Sequence, residues 1–241
     1  MSNMLFIGKD LPESLGFAEV LADSGRKVFG TAKSEADATK FESENIFATT
    51  WNKSSAVSSH SVIIRAETKL ENLDEAVFYF DASHFCTQFE LDRTEDISNG
   101  IDTMISGFVY AATELLKRID QRKEKISVLF LVKEYPSKYE MISSKTAGIV
   151  PASTIVHAAQ AAFCSLAENF STNVADRDYL SVVLAKCAYS NELYKNEDAI
   201  ADWVVSALNT VESMKNPQTV KQACGWNKVG GKVSTGFALF R

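Results

Sequence analysis

The sequence predicts an α/β protein: a doubly wound parallel sheet with helices on both faces, three layers α/β/α, in a single domain over residues 1–241. Three observations predict it. Short runs that are apolar at nearly every position recur along the chain, the mark of strands buried on both faces. Each run is separated from the next by a segment long enough for the crossover that parallel pairing needs. The composition, 46% hydrophobic and 23% charged with only 11 Gly and 4 Pro, supports one core and leaves no linker, repeat or low-complexity tract at which to divide 241 residues.

In chain order the runs are MLFIG (4–8), KVFGT (27–31), NIFATT (45–50), AVFYF (76–80), SVLFLV (127–132) and LSVVLAK (180–186). Residues 104–119 read as a helix because Met104, Phe108, Ala111, Ala112, Leu115 and Ile119 fall on one stripe. A second long helix is expected over 153–170. It is rich in Ala, with Ile155, Ala158, Ala159, Ala162 and Leu166 on one side and Ala161 and Ser165 on another. Small residues on two faces let two neighbours approach closely, either the sheet and a second subunit or two elements of one chain. Towards the end, VKQACGW (220–226) is a candidate seventh strand, and 227–240 reads as a Gly-containing turn followed by an edge strand or docked tail.

Charge and cysteine usage exclude several function classes. The balance of 25 Lys+Arg against 31 Asp+Glu gives a net charge of −6 with scattered basic residues, so no nucleic acid is expected as a partner. No apolar run approaches the ~20 residues of a membrane span, and Met1–Ile7 carries neither a basic n-region nor a cleavage site, so no membrane is expected and the location expected is cytoplasmic. Cys86, Cys164, Cys187 and Cys224 show no C-x-x-C spacing, and His60, His84 and His157 do not complete a metal set with them. Cys164 and Cys187 read as small buried hydrophobes, and Trp51, Trp203 and Trp226 as packing anchors. There is no G-x-S-x-G, no G-x-x-x-x-G-K-[ST] and no H-E-x-x-H.

The succession of strand MLFIG, turn, helix, Gly25, strand KVFGTAK and the later strand–helix series resembles the short-chain dehydrogenase/reductase superfamily over nearly the whole chain. GKDLPESLGFAEVLADSGRKVFGTAKS (8–34) has the spacing of that family's first βαβ unit. Leu73–Ser83 with its exit turn, Gly107, GIVPAS (148–153) and EDAIADWVVSAL (197–208) echo its later parts. The resemblance implies a Rossmann-type sheet with a ligand crevice at the carboxyl ends of the strands. It also implies a homodimer or homotetramer through the helices around 104–119 and 153–170.

The residues that would carry the family's chemistry depart from its pattern. Of the glycines in T-G-x-x-x-G-x-G only Gly8 remains, with Pro12 and Ser14 at the second and third positions. Asp10-Leu11-Pro12-Glu13 reads instead as a helix N-cap with a carboxylate three residues on. A carboxylate about 4 Å from a bound phosphate costs roughly 4 kcal/mol at an effective dielectric of 20, on the order of a thousandfold in affinity. The expectation is therefore no cofactor. The alternative is NADP held by Gly8, Ser34 and Lys33, the last standing where NADP-preferring relatives place a basic residue. Thr50 occupies the adenine-contacting aspartate position, and Asp81-Ala82-Ser83 replaces N-A-G.

Catalysis in the family resembled uses a Ser, a Tyr and a Lys in Y-x-x-x-K, the Lys lowering the Tyr pKa. Here none of the seven tyrosines is followed four residues later by Lys. The aligned Tyr and Lys positions fall on Val156 and Gln160, or in the other register on Ala152 and Val156. The Ser position falls near Lys133, the assisting Asn near Met104, and Cys187-Ala188 replaces a Pro-Gly pair. A different acid–base set is available in the loop EYPSKYEMISSK (134–145), with Tyr135, Lys138, Tyr139 and Lys145, and in His157; the same loop also reads as ordinary solvated surface. Two functions follow. The expected one is a non-catalytic scaffold, oligomerisation or regulatory module on this fold; the alternative is an NAD(P)H-dependent oxidoreductase with Lys33 on the 2′-phosphate and Tyr135, Tyr139 or His157 as acid.

Overall fold

A computed structural model of the chain describes residues 2–86, 88–89, 94–143, 153–213 and 225–233. The chain runs β1 (Ser2–Ile7), α1 (Leu15–Asp23), β2 (Arg26–Ala32), α2 (Glu35–Lys40), β3 (Ile46–Thr50), α3 (Ala56–Leu70), β4 (Glu75–Asp81), α4 (Ala82–Phe85), α5 (Thr94–Ile101), a π-helical turn (Asp102–Ser106), α6 (Gly107–Arg122), β5 (Ile126–Lys133), α7 (Lys138–Ser143), α8 (Thr154–Asn173), β6 (Leu180–Cys187), α9 (Glu197–Glu212) and β7 (Trp226–Lys228). All strand pairings are parallel, in the order β3-β2-β1-β4-β5-β6-β7. The direction of winding reverses between β1 and β4, which opens a crevice at their carboxyl ends.

The strand runs are apolar at successive positions because both faces are covered. On β1, Met4 and Phe6 pack towards α1 and α9 while Leu5 and Ile7 pack towards α3, α6 and α8. The same alternation sends Tyr79, Leu129 and Leu131 to the first side and Phe78, Phe80, Phe130 and Val132 to the second. On that second side Phe163 of α8 packs against Phe108 at 4.9 Å and Phe80 at 5.3 Å between ring centres, tying helices to sheet. Among the described residues no helix is long and apolar enough to cross a membrane, and no group of three metal-ligating side chains occurs.

The stripe expected over 104–119 is buried at all six positions. The stripe expected on the Ala-rich helix is not the one observed. Val156, Ala159, Gln160, Phe163, Ala167 and Phe170 face inward, while Ala158, Ala161 and Ser165 are exposed. The large side chains Val156, Phe163 and Phe170, seven apart, decide the rotation because they bury far more area than Ala. The seventh strand exists and begins at Trp226; a turn with Gly230 at φ +83° follows it. The remainder of the expected C-terminal elements, 220–224 and 234–240, lies outside the described residues.

Gly8, at the end of β1, is required for packing. A Cβ there would sit 2.9 Å from the Tyr79 carbonyl oxygen and 3.1 Å from Tyr79 Cβ on the neighbouring strand, and backbone cannot swing aside. Gly8→Ala is expected to cost about 1–3 kcal/mol of stability, read as a lower urea midpoint with an unchanged m-value.

Candidate functional site

The carboxyl ends of the strands bring Gly8, Lys33, Asp81, Lys133 and Cys187 to one edge. The loop after β1 does not form the acidic cap expected of it. Helix α1 begins at Leu15, and Ser14 at its N-cap makes no side-chain capping bond. Leu11 instead docks on the end of β2: its N–H donates to the Thr31 carbonyl at 2.8 Å, it bridges to Ala32, and its side chain is buried with Ala32 and Ala38. Burying Leu11 there pulls the loop across β2 and turns the acids sideways. Asp10 accepts from Thr31 Oγ1 at 2.6 Å and from Lys53 Nζ at 2.7 Å, and Glu13 pairs with Lys33. Partial burial pushes the Glu13 carboxyl upward, but its bond from Lys33 overrides this and holds it below its ordinary value. Each carboxylate thus carries its own ammonium, and the repulsion of a phosphate expected from the sequence is cancelled.

A cleft of about 410 Å³ opens at the ends of β2, β3 and β4, walled by Asp10, Lys33, Trp51, Lys53, His84 and Thr103. Lys53 Nζ stands 5.3 Å from the Trp51 ring centre. The far wall comes close because Gly107 has no side chain: a Cβ there would lie 2.9 Å from Lys53 Cβ and 3.1 Å from the Trp51 ring. The π-helical turn just before it presents Asp102 and Thr103 to the cleft. Ser34 does not face a ligand. It caps α2, accepting from the Asp37 N–H at 3.1 Å and donating to the Asp37 carboxylate at 2.6 Å.

Beyond the cleft, at the ends of β1, β4 and β5, the buried charges Lys9, Asp81 and Lys133 meet the half-buried Glu197. Lys9 Nζ lies 3.1 Å from Asp81 and 2.9 Å from Glu197; Lys133 Nζ lies 3.5 Å from Asp81 and also pairs with Glu197. The Tyr79 hydroxyl reaches Glu197 at 3.2 Å. Asp81 further accepts from Ser83 Oγ at 2.5 Å and from the N–H groups of Ser83 and His84, so its second oxygen caps α4. Burial alone would raise the Asp81 carboxyl; the Lys9 and Lys133 ammoniums outweigh it and hold it below the usual range. Burial likewise lowers Lys9, and Asp81 and Glu197 more than reverse this.

Above this cluster Tyr135, Tyr189 and Tyr194 stack edge to face, 5.6 and 4.9 Å apart in sequence, and Lys133 Nζ stands 5.0 Å from the Tyr194 ring centre. Of the acids proposed from sequence, Tyr135 is therefore at the corner, anchored by its N–H to Gln160 Oε1 at 3.1 Å. Tyr139 is not: it is 79% exposed on α7. His157 is partly buried, with Nδ1 lacking a partner among the described residues. Val156 is a core residue, and Ala152, Lys145 and Cys224 lie outside the described residues. Sequence reasoning missed Lys9, Glu197 and Tyr194. The one available signal was a lysine closing two apolar runs, FIGK and FLVK, a charge that strand ends alone can accommodate.

Sheet order, crevice and flanking helices together define a Rossmann-type doubly wound α/β fold. The chain superposes on a 3-ketoacyl-(acyl-carrier-protein) reductase from Brucella melitensis complexed with NADH at a TM-score of 0.62 and 14% identity, covering 94% of this chain and 96% of that one. It superposes on an alcohol dehydrogenase from the archaeon Thermococcus sibiricus complexed with 5-hydroxy-NADP at 0.61 and 14%, covering 95% and 96%. No protein-family model matches the chain, and no curated protein does. The expectation of no cofactor is overturned by these neighbours, in which this fold holds a nicotinamide dinucleotide. Its physical premise also fails, since Asp10 and Glu13 are neutralised by Lys53 and Lys33.

The charge cluster sets a pH window. Asp81 is depressed on folding, so its contribution is complete above the unfolded carboxylate value of about 3.9 and is lost as the pH falls through its lower folded value. Lys9 is raised, so its contribution is complete below about 10.4 and is lost as the pH rises through its higher folded value. Asp81→Asn is expected to flatten the acid limb and to cost on the order of 3–5 kcal/mol at pH 7, because two buried ammoniums lose a partner. Urea unfolding at several pH values checks both.

Proposed function

We propose that the chain binds a nicotinamide dinucleotide across the carboxyl edge of its sheet, NADP(H) in preference to NAD(H), and acts as an oxidoreductase whose catalytic groups are not a Tyr-x-x-x-Lys pair. The observation that carries this is the cleft at the ends of β2–β4 with Lys33 and Lys53 in its wall and Trp51 beside them. It fits the adenosine half of such a molecule: two ammoniums for a ribose phosphate and an aromatic edge for a base. Lys33 is half exposed and, among the described residues, paired with Glu13, so it can exchange that carboxylate for a phosphate. Hydride transfer to or from a carbonyl carbon is what the dinucleotide supplies. The protein's own part is to hold the phosphates, exclude water at the corner under Tyr135, Tyr189 and Tyr194, and supply a proton.

One observation favours a second reading, in which the nucleotide is bound without hydride transfer and the chain serves as a scaffold or regulatory module. The corner that the family's catalytic Ser would occupy holds Lys133, tied into a cluster of four charges. We propose for either reading that a second copy of the chain covers the exposed small residues Ala158, Ala161 and Ser165 of α8 and the exposed Val109 and Tyr110 of α6; sedimentation giving a monomer contradicts it.

Titration with NADPH and NADH, followed by quenching of Trp51, tests nucleotide binding. NADPH is expected to bind at least tenfold more tightly than NADH, and Lys33→Ala to remove that preference, about 1.4 kcal/mol, without weakening NADH. No quenching by either nucleotide at millimolar concentration contradicts the proposal.

A further inference from the structure

His84 stands in the wall of the cleft of about 410 Å³ together with Lys33 and Lys53. Its backbone N–H donates to the Asp81 carboxylate at 3.2 Å, which ties the short helix α4 to the cluster of Lys9, Lys133 and Glu197 below it. Its ring lies 5.3 Å from the ring of the buried Phe85, centre to centre. The side-chain nitrogen of Gln88, which can only donate, stands 3.0 Å from Nε2, so Nε2 is the accepting nitrogen of a neutral imidazole. A partly buried histidine is thus fixed in a cleft whose other basic groups are two lysines.

Resting on the nucleotide-binding reading above, we propose that His84 is a third contact to the ribose phosphate that Lys33 and Lys53 hold, and that the nucleotide binds together with a proton taken up by this ring. The charges around the ring support it. Lys9 faces it from the turn after β1, Glu13 from the loop ahead of α1, Lys53 from the loop after β3 and Asp81 from the end of β4. Asp10, Lys33 and Asp102 complete the charged walls of the cleft. Burial first, and then the Lys9 ammonium, hold the imidazole below its ordinary value of about 6.5; Lys53 adds to this, while Asp81 and Glu13 pull the other way without prevailing. At neutral pH the ring therefore sits uncharged among ammoniums. A phosphate dianion beside it favours the imidazolium, which donates from the nitrogen that now accepts from Gln88.

Between the ring's lowered value in the free protein and its higher value beside a phosphate, the complex carries one more proton than its separate parts. Affinity then rises as the pH falls through that interval, by up to about tenfold per pH unit. The phosphate alone gives the opposite slope. Its second ionisation lies near pH 6 and two ammoniums prefer the dianion, so a cleft without a titrating ring binds more tightly as the pH rises. NADH has no ribose phosphate and shows neither slope.

Native protein, His84→Gln and His84→Lys are titrated with NADPH and NADH by Trp51 quenching from about pH 6.5 to about pH 8.5, and NADPH binding is measured by calorimetry in two buffers of different ionisation enthalpy to count protons. Native protein is expected to lose about tenfold in NADPH affinity across that range and to take up a proton on binding near neutral pH. His84→Gln is expected to bind NADPH about tenfold more weakly than native at the acid end, equally at the alkaline end, and with no proton uptake; His84→Lys, permanently charged, is expected to recover the affinity and to lose the native slope. NADH affinity is expected to stay within about twofold in all three, which shows the cleft intact. NADPH affinity that is flat or rises with pH in native protein overturns the assignment, as does a native pH profile in His84→Gln, a loss that Lys does not restore, or an equal loss for NADH. If native protein prefers NADPH through Lys33 but takes up no proton, the His84 assignment fails while the nucleotide reading stands; if neither nucleotide binds, both fail.

Discussion

Two lysines, Lys9 after β1 and Lys133 at the end of β5, flank the end of β4 inside the protein, and the rest of the site follows from the need to neutralise them. Isolated buried ammoniums are too costly to persist, so Asp81 and Glu197 are drawn in from β4 and α9 and the Tyr79 hydroxyl is added. Glu197 is the first residue of α9 and the one member that keeps contact with water, 30% exposed at its side chain. The cluster therefore fixes where α9 starts, how the segment before it returns over the crevice, and where Tyr189 and Tyr194 come to rest. A charge arrangement of this kind adds little net stability over an apolar one of equal volume, but breaking it is expensive. It acts as a register device for the carboxyl edge.

The same pairing governs the other half of the crevice. Asp10 with Lys53 and Glu13 with Lys33 convert a loop of repelling acids into a neutral rim whose lysines can turn to a phosphate. Leu11 holds that loop by packing against Ala32 and Ala38. The crevice thus lies where the fold places it, and the acids at its rim are each paired with a lysine.

How much of this was legible in the sequence divides along a physical line. The strands were legible because burial on both faces demands apolar residues at successive positions, and six of the seven announce themselves in that way; β7, three residues long at the sheet edge, has no such demand, and the strand expected over 220–226 ends at the residue where β7 begins. The helix carrying Met104 to Ile119 was legible because one stripe is large and the rest is polar. The α8 helix was misread in rotation because alanines leave the stripe ambiguous and Val156, Phe163 and Phe170 decide it. The site was mostly not legible. Lys9, Asp81, Lys133, Glu197 and Tyr194 are distant in sequence and meet only because parallel strands end at one edge. The acidic cap was misread because nothing local reveals that Leu11 prefers the end of β2 to the turn of a helix.

The most direct test of the proposal that the crevice binds a nucleotide is a crystal structure of the chain grown with saturating NADPH. Density for the adenosine end against Lys33, Lys53 and Trp51, with the nicotinamide end running towards Lys133 and Tyr194, is the predicted result. A crevice left empty of nucleotide at saturation, with Glu13 still on Lys33 and Asp10 still on Lys53, would contradict it.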